Sequence, residues 1–132
     1  MIGLDTNILV RFLTNDDPTQ SPRSRQIVGR QLTEQDPGYV TLAAIVETAW
    51  VLENIYKLSS LELAKAVRLL LQIETLAIQN EQEVYTAMIA LEERKVDFAD
   101  SLIAALGRHA GCTTTLTFDR KAARLQGFQL AK

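Results

Sequence analysis

Residues 2–13 read IGLDTNILVRFL, a short apolar run followed by an acid and a helical pattern. Its first three residues form an apolar run long enough for a short strand, and Asp5 follows that run directly. Four apolar residues then recur at the spacing of one helix face, namely Ile8, Leu9, Phe12 and Leu13. The stretch therefore predicts a strand, an acid at its carboxyl end and a helix, which is the repeating unit of a parallel α/β protein.

The rest of the chain repeats this alternation of strand and helix. Strands are predicted at residues 2–4, 39–42, 76–78, 112–118 and 128–130. Asp16-Asp17-Pro18 ends the first helix. Further helices are predicted at residues 19–35, 43–56, 98–110 and 119–125. Another helix begins at Ser59 or Ser60, and another runs from the N-cap Asn80 to residue 94. Strands separated by helices favour a parallel sheet covered on both faces. The predicted fold class is therefore α/β, a three-layer α/β/α sandwich with a central parallel sheet.

Length and composition point to a single globular domain spanning residues 1–132. Hydrophobic residues make up 47% of the chain and charged residues 23%, which is ordinary for a globular protein. No apolar run approaches the roughly 18 residues of a membrane span, and no signal peptide is visible. Cys112 is the only cysteine, so a reduced, cytoplasmic protein with no membrane partner is expected. The net charge of −2 counts mildly against a nucleic-acid partner without excluding one.

Four carboxylates fall at positions that share one edge of the predicted sheet. The carboxyl ends of parallel strands and the amino ends of the following helices meet at one edge, where ligands usually bind. Asp5 and Asp119 directly follow predicted strands, whereas Glu47 and Asp100 lie in the opening turns of predicted helices. Glu47 and Asp100 also have apolar neighbours at helical spacing, so both are expected to be buried.

Several carboxylates without matching cations predict a metal site, because a buried carboxylate costs several kcal/mol unless it is paired or binds a metal. A set of carboxylates that lacks histidine and cysteine suits Mg²⁺ or Mn²⁺ rather than zinc. Simpler interpretations exist for each acid taken singly. Asp5 and Asp119 have the positions of helix N-caps, Asp97 and Asp100 have the spacing of a capping box, and Glu47 has the option of an arginine remote in sequence. Only the metal site accounts for all four acids together.

Four segments of the chain carry a resemblance to a known family. LDTNILVRFL, VETAWVL, DFADSLIAA and TLTFDRKAARLQGF resemble motifs of the PIN-domain ribonucleases, specifically the VapC-type toxins of bacterial toxin–antitoxin pairs. The four segments follow the family order and together span nearly the whole chain. The resemblance implies a parallel α/β/α sandwich and a metal-dependent endoribonuclease.

The resemblance also implies roles for individual residues. Asp5, Glu47, Asp100 and Asp119 match the acidic quartet of the family, which implies that they hold Mg²⁺ or Mn²⁺ and catalyse RNA cleavage. Four further residues are expected to support this quartet, namely Thr6, Asn7, Asp97 and Thr117. For Asn7, a simple helix start remains an equally good interpretation. The implied partners are an RNA substrate, a small cognate antitoxin protein whose tail covers the acidic site, and a second copy of the chain in a homodimer.

Three basic residues follow the last acid, namely Arg120, Lys121 and Arg124. They are candidates for binding substrate phosphates, although a solvated helix face explains them somewhat better. Arg23, Arg25 and Arg30 form a second, looser basic set with the same two interpretations.

Two other functions compete with a nuclease. A haloacid-dehalogenase-like phosphatase also begins with an acid at a strand end, but it requires a second aspartate where this chain has Asn7, and an amide cannot transfer that proton. A non-catalytic binding module predicts no metal dependence and leaves the acids at Glu47 and Asp100 without a purpose.

Overall fold

Parallel strands joined through helices make up the protein, as the computed structural model of residues Met1–Lys132 shows. The chain divides at the start of its fifth helix into two units, Met1–Glu81 and Gln82–Lys132. Each unit contains its own parallel sheet. None of the helices combines the length and the apolar character that crossing a membrane would require.

The first unit is a three-stranded parallel sheet with four helices. Its elements in chain order are β1 (Ile2–Gly3), α1 (Thr6–Leu13), α2 (Gln20–Gln26), a π-helical turn (Ile27–Gln31), β2 (Gly38–Val40), α3 (Leu42–Asn54), α4 (Ser60–Gln72) and β3 (Leu76–Ile78). The strand order is β1-β2-β3, so β2 is central. Gly38 pairs with Ile2 on one side and Leu76 on the other.

Two leucine side chains pack closely against Gly38 in β2. A Cβ atom at this position would lie 2.7 Å from Cδ1 of Leu32 and 2.8 Å from Cδ1 of Leu4. The core of the unit is apolar and includes Leu9, Val28, Leu32, Val40, Ile45, Leu52, Leu63, Val67 and Leu70, all buried. Burial of this face, rather than helix propensity, stabilises the short helices.

The second unit contains the remaining helices and a two-stranded parallel sheet. Its elements are α5 (Glu81–Arg94), α6 (Phe98–His109), β4 (Thr115–Thr117), a 3₁₀ turn (Ala122–Arg124) and β5 (Phe128–Leu130). β4 and β5 are parallel, with Thr115 opposite Phe128. The buried residues include Val84, Met88, Leu91, Phe98 and Leu102.

The order and type of the predicted elements agree with the structure, with differences at the ends. The predicted helix 19–35 is shorter in the structure. It consists of α2 and the π-helical turn that follows, and it ends at Gln31. The predicted helix 119–125 is only a 3₁₀ turn at Ala122–Arg124. Ser59 is the N-cap of α4, in a capping box with Glu62. The hydrogen-bonded strands form two parallel sheets rather than one.

The predicted strand 112–118 is shorter because the end of α6 uses the backbone that would begin it. Gly111 has a φ of 98°, its N–H donates to the carbonyl of Arg108 at 3.0 Å, and the N–H of Cys112 donates to that of Gly107 at 2.9 Å. This is the Schellman arrangement, which places glycine in the left-handed conformation after a helix. The strand therefore begins only at Thr115.

Candidate functional site

Asp5 lies at the carboxyl end of β1, where the sequence predicts it. The N–H of Leu4 still donates to the carbonyl of Tyr39 at 2.9 Å, so pairing with β2 continues up to the residue before Asp5. Asp5 is the N-cap of α1, and its Oδ1 accepts a hydrogen bond from the N–H of Thr6 at 2.8 Å. The N-cap interpretation of Asp5 is therefore confirmed as a structural role.

Thr6 joins the start of α1 to the acid on α3. Its side chain is buried, with 7% of its surface exposed, and its hydroxyl donates a hydrogen bond to Oε1 of Glu47. Thr41 caps α3 by accepting from the N–H of Ala44 at 3.1 Å, which fixes the start of the helix that carries Glu47. Thr6 thus orients the side chain of Glu47.

The expectation that Glu47 is buried is wrong, because its side chain is exposed. Apolar residues lie around it at helical spacing, but two of them, Ala43 and Trp50, are themselves exposed. The buried face of α3 lies elsewhere, at Ala44, Ile45, Thr48, Ala49 and Leu52. Glu47 has no basic partner in the structure, and its only hydrogen bond is the one from Thr6.

Asn7 is exposed, and its side chain makes no hydrogen bond. The structure therefore places it as a residue of the first turn of α1, without the contact to a carboxylate that was the alternative.

Three carboxylates interact at the start of α6 in the second unit. Asp97 is the N-cap of α6 and accepts from the N–H of Ala99 at 3.2 Å. Asp100 lies in the first turn and is partly buried. Partial burial, followed by the negative charges of Asp97 and Asp119, raises the pKa of Asp100 above its ordinary value of 3.8. Asp100 accepts no hydrogen bond, so the capping box with Asp97 is not formed.

Asp119 and Thr117 form a local turn at the end of β4. Thr117 Oγ1 accepts from the N–H of Asp119 at 3.0 Å, and Asp119 Oδ1 accepts from the N–H of Lys121 at 2.8 Å. The Thr117 hydroxyl thus holds the backbone of Asp119, and the carboxylate of Asp119 accepts from Lys121, the residue before the 3₁₀ turn.

The three basic residues that follow this acid are solvent-exposed. Arg120, Lys121 and Arg124 make no ion pair and no side-chain hydrogen bond. Phe118, between Thr117 and Asp119, is 86% exposed, and no local pattern in the sequence marks it as a site residue.

The side chains that interact with these acids offer oxygen atoms as metal ligands. The side chains that interact with one another are carboxylates and hydroxyls, and neither His109 nor Cys112 is among them. Such a donor set fits Mg²⁺ or Mn²⁺. No group of three or more histidine, cysteine, aspartate or glutamate side chains is arranged as a metal-binding cluster in the structure.

Comparison with known proteins gives one family. The model of the PIN domain family matches residues 2–127, nearly the whole chain, and this range includes all four acids of the expected quartet. No curated protein matches the chain. The match confirms the predicted fold class, a three-layer α/β/α arrangement with parallel strands.

Proposed function

Because the chain belongs to the PIN-domain family, whose members are generally metal-dependent nucleases, we propose that it is a divalent-metal-dependent endoribonuclease and the toxin of a toxin–antitoxin pair. The observation that carries the proposal is the family match over residues 2–127. The four segments that resemble VapC-type toxins support the narrower assignment.

In this proposal Asp5, Glu47, Asp100 and Asp119 hold Mg²⁺ or Mn²⁺. The bound ion would lower the pKa of a water molecule and neutralise charge on the phosphodiester. Asp100 supports this role best, because it is partly buried among like charges and has neither a cation nor a hydrogen bond to compensate it. A divalent ion would supply that compensation.

Threonine hydroxyls position two of these acids. Thr6 holds Glu47 through its side chain, and Thr117 holds Asp119 through its backbone. Asp97 has a structural role as the cap of α6. Removing either threonine hydroxyl should therefore reduce activity less than removing an acid.

The proposed substrate is single-stranded or looped RNA, cut to leave a 5′ phosphate and a 3′ hydroxyl. A flexible strand can enter a cleft that excludes a duplex. Arg120, Lys121 and Arg124 are exposed and unpaired, so they are available to bind its phosphates.

The proposed protein partners are a small antitoxin and a second copy of the chain. Exposed apolar side chains on α3 and α4 support a protein interface, namely Val46, Trp50, Leu61 and Leu69. Trp50 is 58% exposed, and tryptophan is among the residues most enriched at the energetic centre of interfaces.

The competing phosphatase has less support. The family match is to the PIN domain, and Asn7 provides no carboxylate for the proton transfer that the phosphatase requires. Hydrolysis of p-nitrophenyl phosphate without cleavage of RNA would favour the phosphatase instead.

Cleavage of a labelled single-stranded RNA tests the nuclease. We expect cleavage with Mg²⁺ or Mn²⁺ and none in EDTA. Asp5→Asn, Glu47→Gln, Asp100→Asn and Asp119→Asn should each lower the rate by orders of magnitude, because each removes a charge from the metal ligands. Asp97→Asn is the matched control, since asparagine also caps helices well and should preserve most of the activity. Undiminished cleavage in EDTA would refute the metal mechanism.

The toxin role has a separate test. Expression of the wild-type chain should arrest growth, expression of Asp100→Asn should not, and co-expression of a small protein encoded beside its gene should relieve the arrest. Harmless expression of an active nuclease would refute the toxin role and leave the nuclease assignment intact.

A further inference from the structure

A groove lies in the second unit between α5 and α6, and the segment at Leu125 and Gln126 lines it as well. α5 contributes one row of side chains at helical spacing, Thr86, Ala90 and Arg94, and α6 contributes another, Ser101, Ala104 and Arg108. Alanines occupy the middle of both rows, which leaves the space that forms the groove. Each row ends in an arginine.

The two arginines have no anionic partner. Both are exposed, and neither makes an ion pair or a side-chain hydrogen bond. Each lies in the last turn of its helix, where a positive charge interacts favourably with the helix dipole. The dipole explains why a cation stands at each position but does not explain why both line the same groove. Ser101 adds a hydroxyl that makes no hydrogen bond.

Arg108 lies close to Gly127, which follows the groove residue Gln126 in sequence. A Cβ atom on Gly127 would lie 2.6 Å from Nη1 of Arg108 and 3.2 Å from Cβ of Ala104. Gly127 also has a φ of 93°, which side chains other than glycine rarely adopt. The guanidinium of Arg108 therefore lies directly beside the backbone of Gly127, where a side chain at residue 127 would contact it.

The size of the groove restricts its ligand. The cavity volume is about 70 Å³, whereas pockets for drug-sized ligands occupy roughly 300–1,000 Å³. A nucleoside or an organic cofactor would therefore not fit inside. A single phosphate group would fit, with the remainder of a strand outside the groove. Guanidinium groups match phosphate oxygens with paired hydrogen bonds, and an unpaired hydroxyl can donate to a third oxygen.

We propose that this groove binds a backbone phosphate of the RNA, held by Arg94, Arg108 and the Ser101 hydroxyl. The inference rests on the proposed ribonuclease function, since it assigns the anion to the substrate. Ser101 directly follows Asp100, so the groove is lined by the same helix that carries one acid of the proposed metal site. The groove thereby fixes the position of the strand along α6.

RNA binding without cleavage tests the proposal. The anisotropy of a fluorescent single-stranded RNA is measured in EDTA across a range of salt concentrations for wild type and for Arg94→Gln/Arg108→Gln. Lys57→Gln/Lys65→Gln is the matched control, because it removes the same charge from two exposed lysines of the first unit that are not candidates for binding RNA.

We expect the groove variant to bind at least tenfold more weakly than the control. A plot of the logarithm of the RNA association constant against the logarithm of the salt concentration has a negative slope. Relative to wild type, the magnitude of that slope should fall by about 0.7 if both arginines contact one phosphate, and by about 1.4 if each contacts its own. Equal losses in the two variants would overturn the proposal, because net charge rather than the groove would then determine affinity.

Inorganic phosphate separates this inference from the proposed function. Titration of the wild-type protein with phosphate, followed through the amide signal of Ser101, should give a shift that the groove variant lacks. No shift would overturn the anion site. A shift together with RNA affinity equal to that of the control would overturn the RNA assignment and indicate a site for free anions. Groove-dependent RNA binding without any cleavage in Mg²⁺ would refute the nuclease and retain the groove.

Discussion

Asp100→Asn should stabilise the metal-free protein at neutral pH, because it removes a charge that its surroundings disfavour. Partial burial and the neighbouring charges of Asp97 and Asp119 raise the pKa of Asp100. Burial and the two repulsions together cost about 1–1.5 kcal/mol of folding free energy, when each repulsion is taken to be as large in magnitude as the attraction in an exposed ion pair. The favourable effect of an acid in the first turn of a helix offsets about 0.5 kcal/mol. The net gain is about 0.5–1 kcal/mol, or a melting temperature roughly 2–4 °C higher.

The pH dependence of the free energy of unfolding tests independently whether the charge on Asp100 destabilises the folded protein. When the pKa is higher in the folded protein, the folded state binds the proton more tightly, so the contribution of Asp100 is most favourable below the unfolded pKa of 3.8. That contribution is lost as the pH rises from 3.8 to the raised pKa of the folded state. The gain from Asp100→Asn should therefore be small at acidic pH and reach its full size at neutral pH.

Thermal melts in EDTA and in excess Mg²⁺ provide the assay. Mg²⁺ should stabilise wild type by about 2.7 kcal/mol at a hundredfold excess over Kd, and Asp100→Asn should lose most of this increment together with cleavage. Glu93→Gln is the control, since this exposed acid of α5 makes no side-chain hydrogen bond, and it should change stability by less than about 0.5 kcal/mol. If Asp100→Asn melts below wild type in EDTA at pH 7, the repulsion argument is refuted.

Three further substitutions test local interactions by thermal unfolding. Thr6→Val removes the hydrogen-bond donor to Glu47 and should lower the free energy of unfolding by about 1 kcal/mol. This is at the lower end for a hydrogen bond to a charged group, because water can replace the donor at an exposed acid. An equal cost in a Glu47→Gln background would contradict the coupling between Thr6 and Glu47. Thr48→Val should raise the free energy of unfolding by about 1 kcal/mol, since the buried Thr48 hydroxyl (3% exposed) has no hydrogen-bond partner. A lower melting temperature would show that the hydroxyl does have a partner. Tyr56→Phe removes the 2.6 Å hydrogen bond that contributes most to lowering the pKa of Asp16, so it should melt lower at neutral pH. That difference should vanish as the pH falls through the lowered pKa, and a difference that persists in acid would show a packing effect instead.

The fold could be predicted because its signals are local. The strand at residues 76–78, the capping box at Ser59 and the glycine after α6 each depend on residues adjacent in sequence. The errors occur where a backbone group has two possible partners. The N–H of Cys112 completes the end of α6 instead of starting a strand, and periodicity alone does not distinguish these outcomes.

The environment of Glu47 could not be predicted, for a related reason. Apolar neighbours at helical spacing indicate burial only if those neighbours face the core, and Ala43 and Trp50 do not. The groove arginines were also missed, because Arg94 and Arg108 stand on different helices and only the packing of those helices brings them to one groove. Contacts between remote elements leave no signal in local patterns.

The sequence leaves open whether these acids make local hydrogen bonds or bind a metal, and the two roles do not exclude each other. Asp5 and Asp119 each use Oδ1 for a backbone N–H, and Glu47 uses Oε1 for a hydroxyl. The second oxygen of each carboxylate makes no hydrogen bond, and Asp100 leaves both oxygens free. A carboxylate can bind a metal through one oxygen, so the local bonds hold each side chain in place without consuming the atom that a ligand needs. These local hydrogen bonds are therefore compatible with the proposed metal site, and by holding the side chains they reduce the conformational entropy that metal binding would otherwise cost.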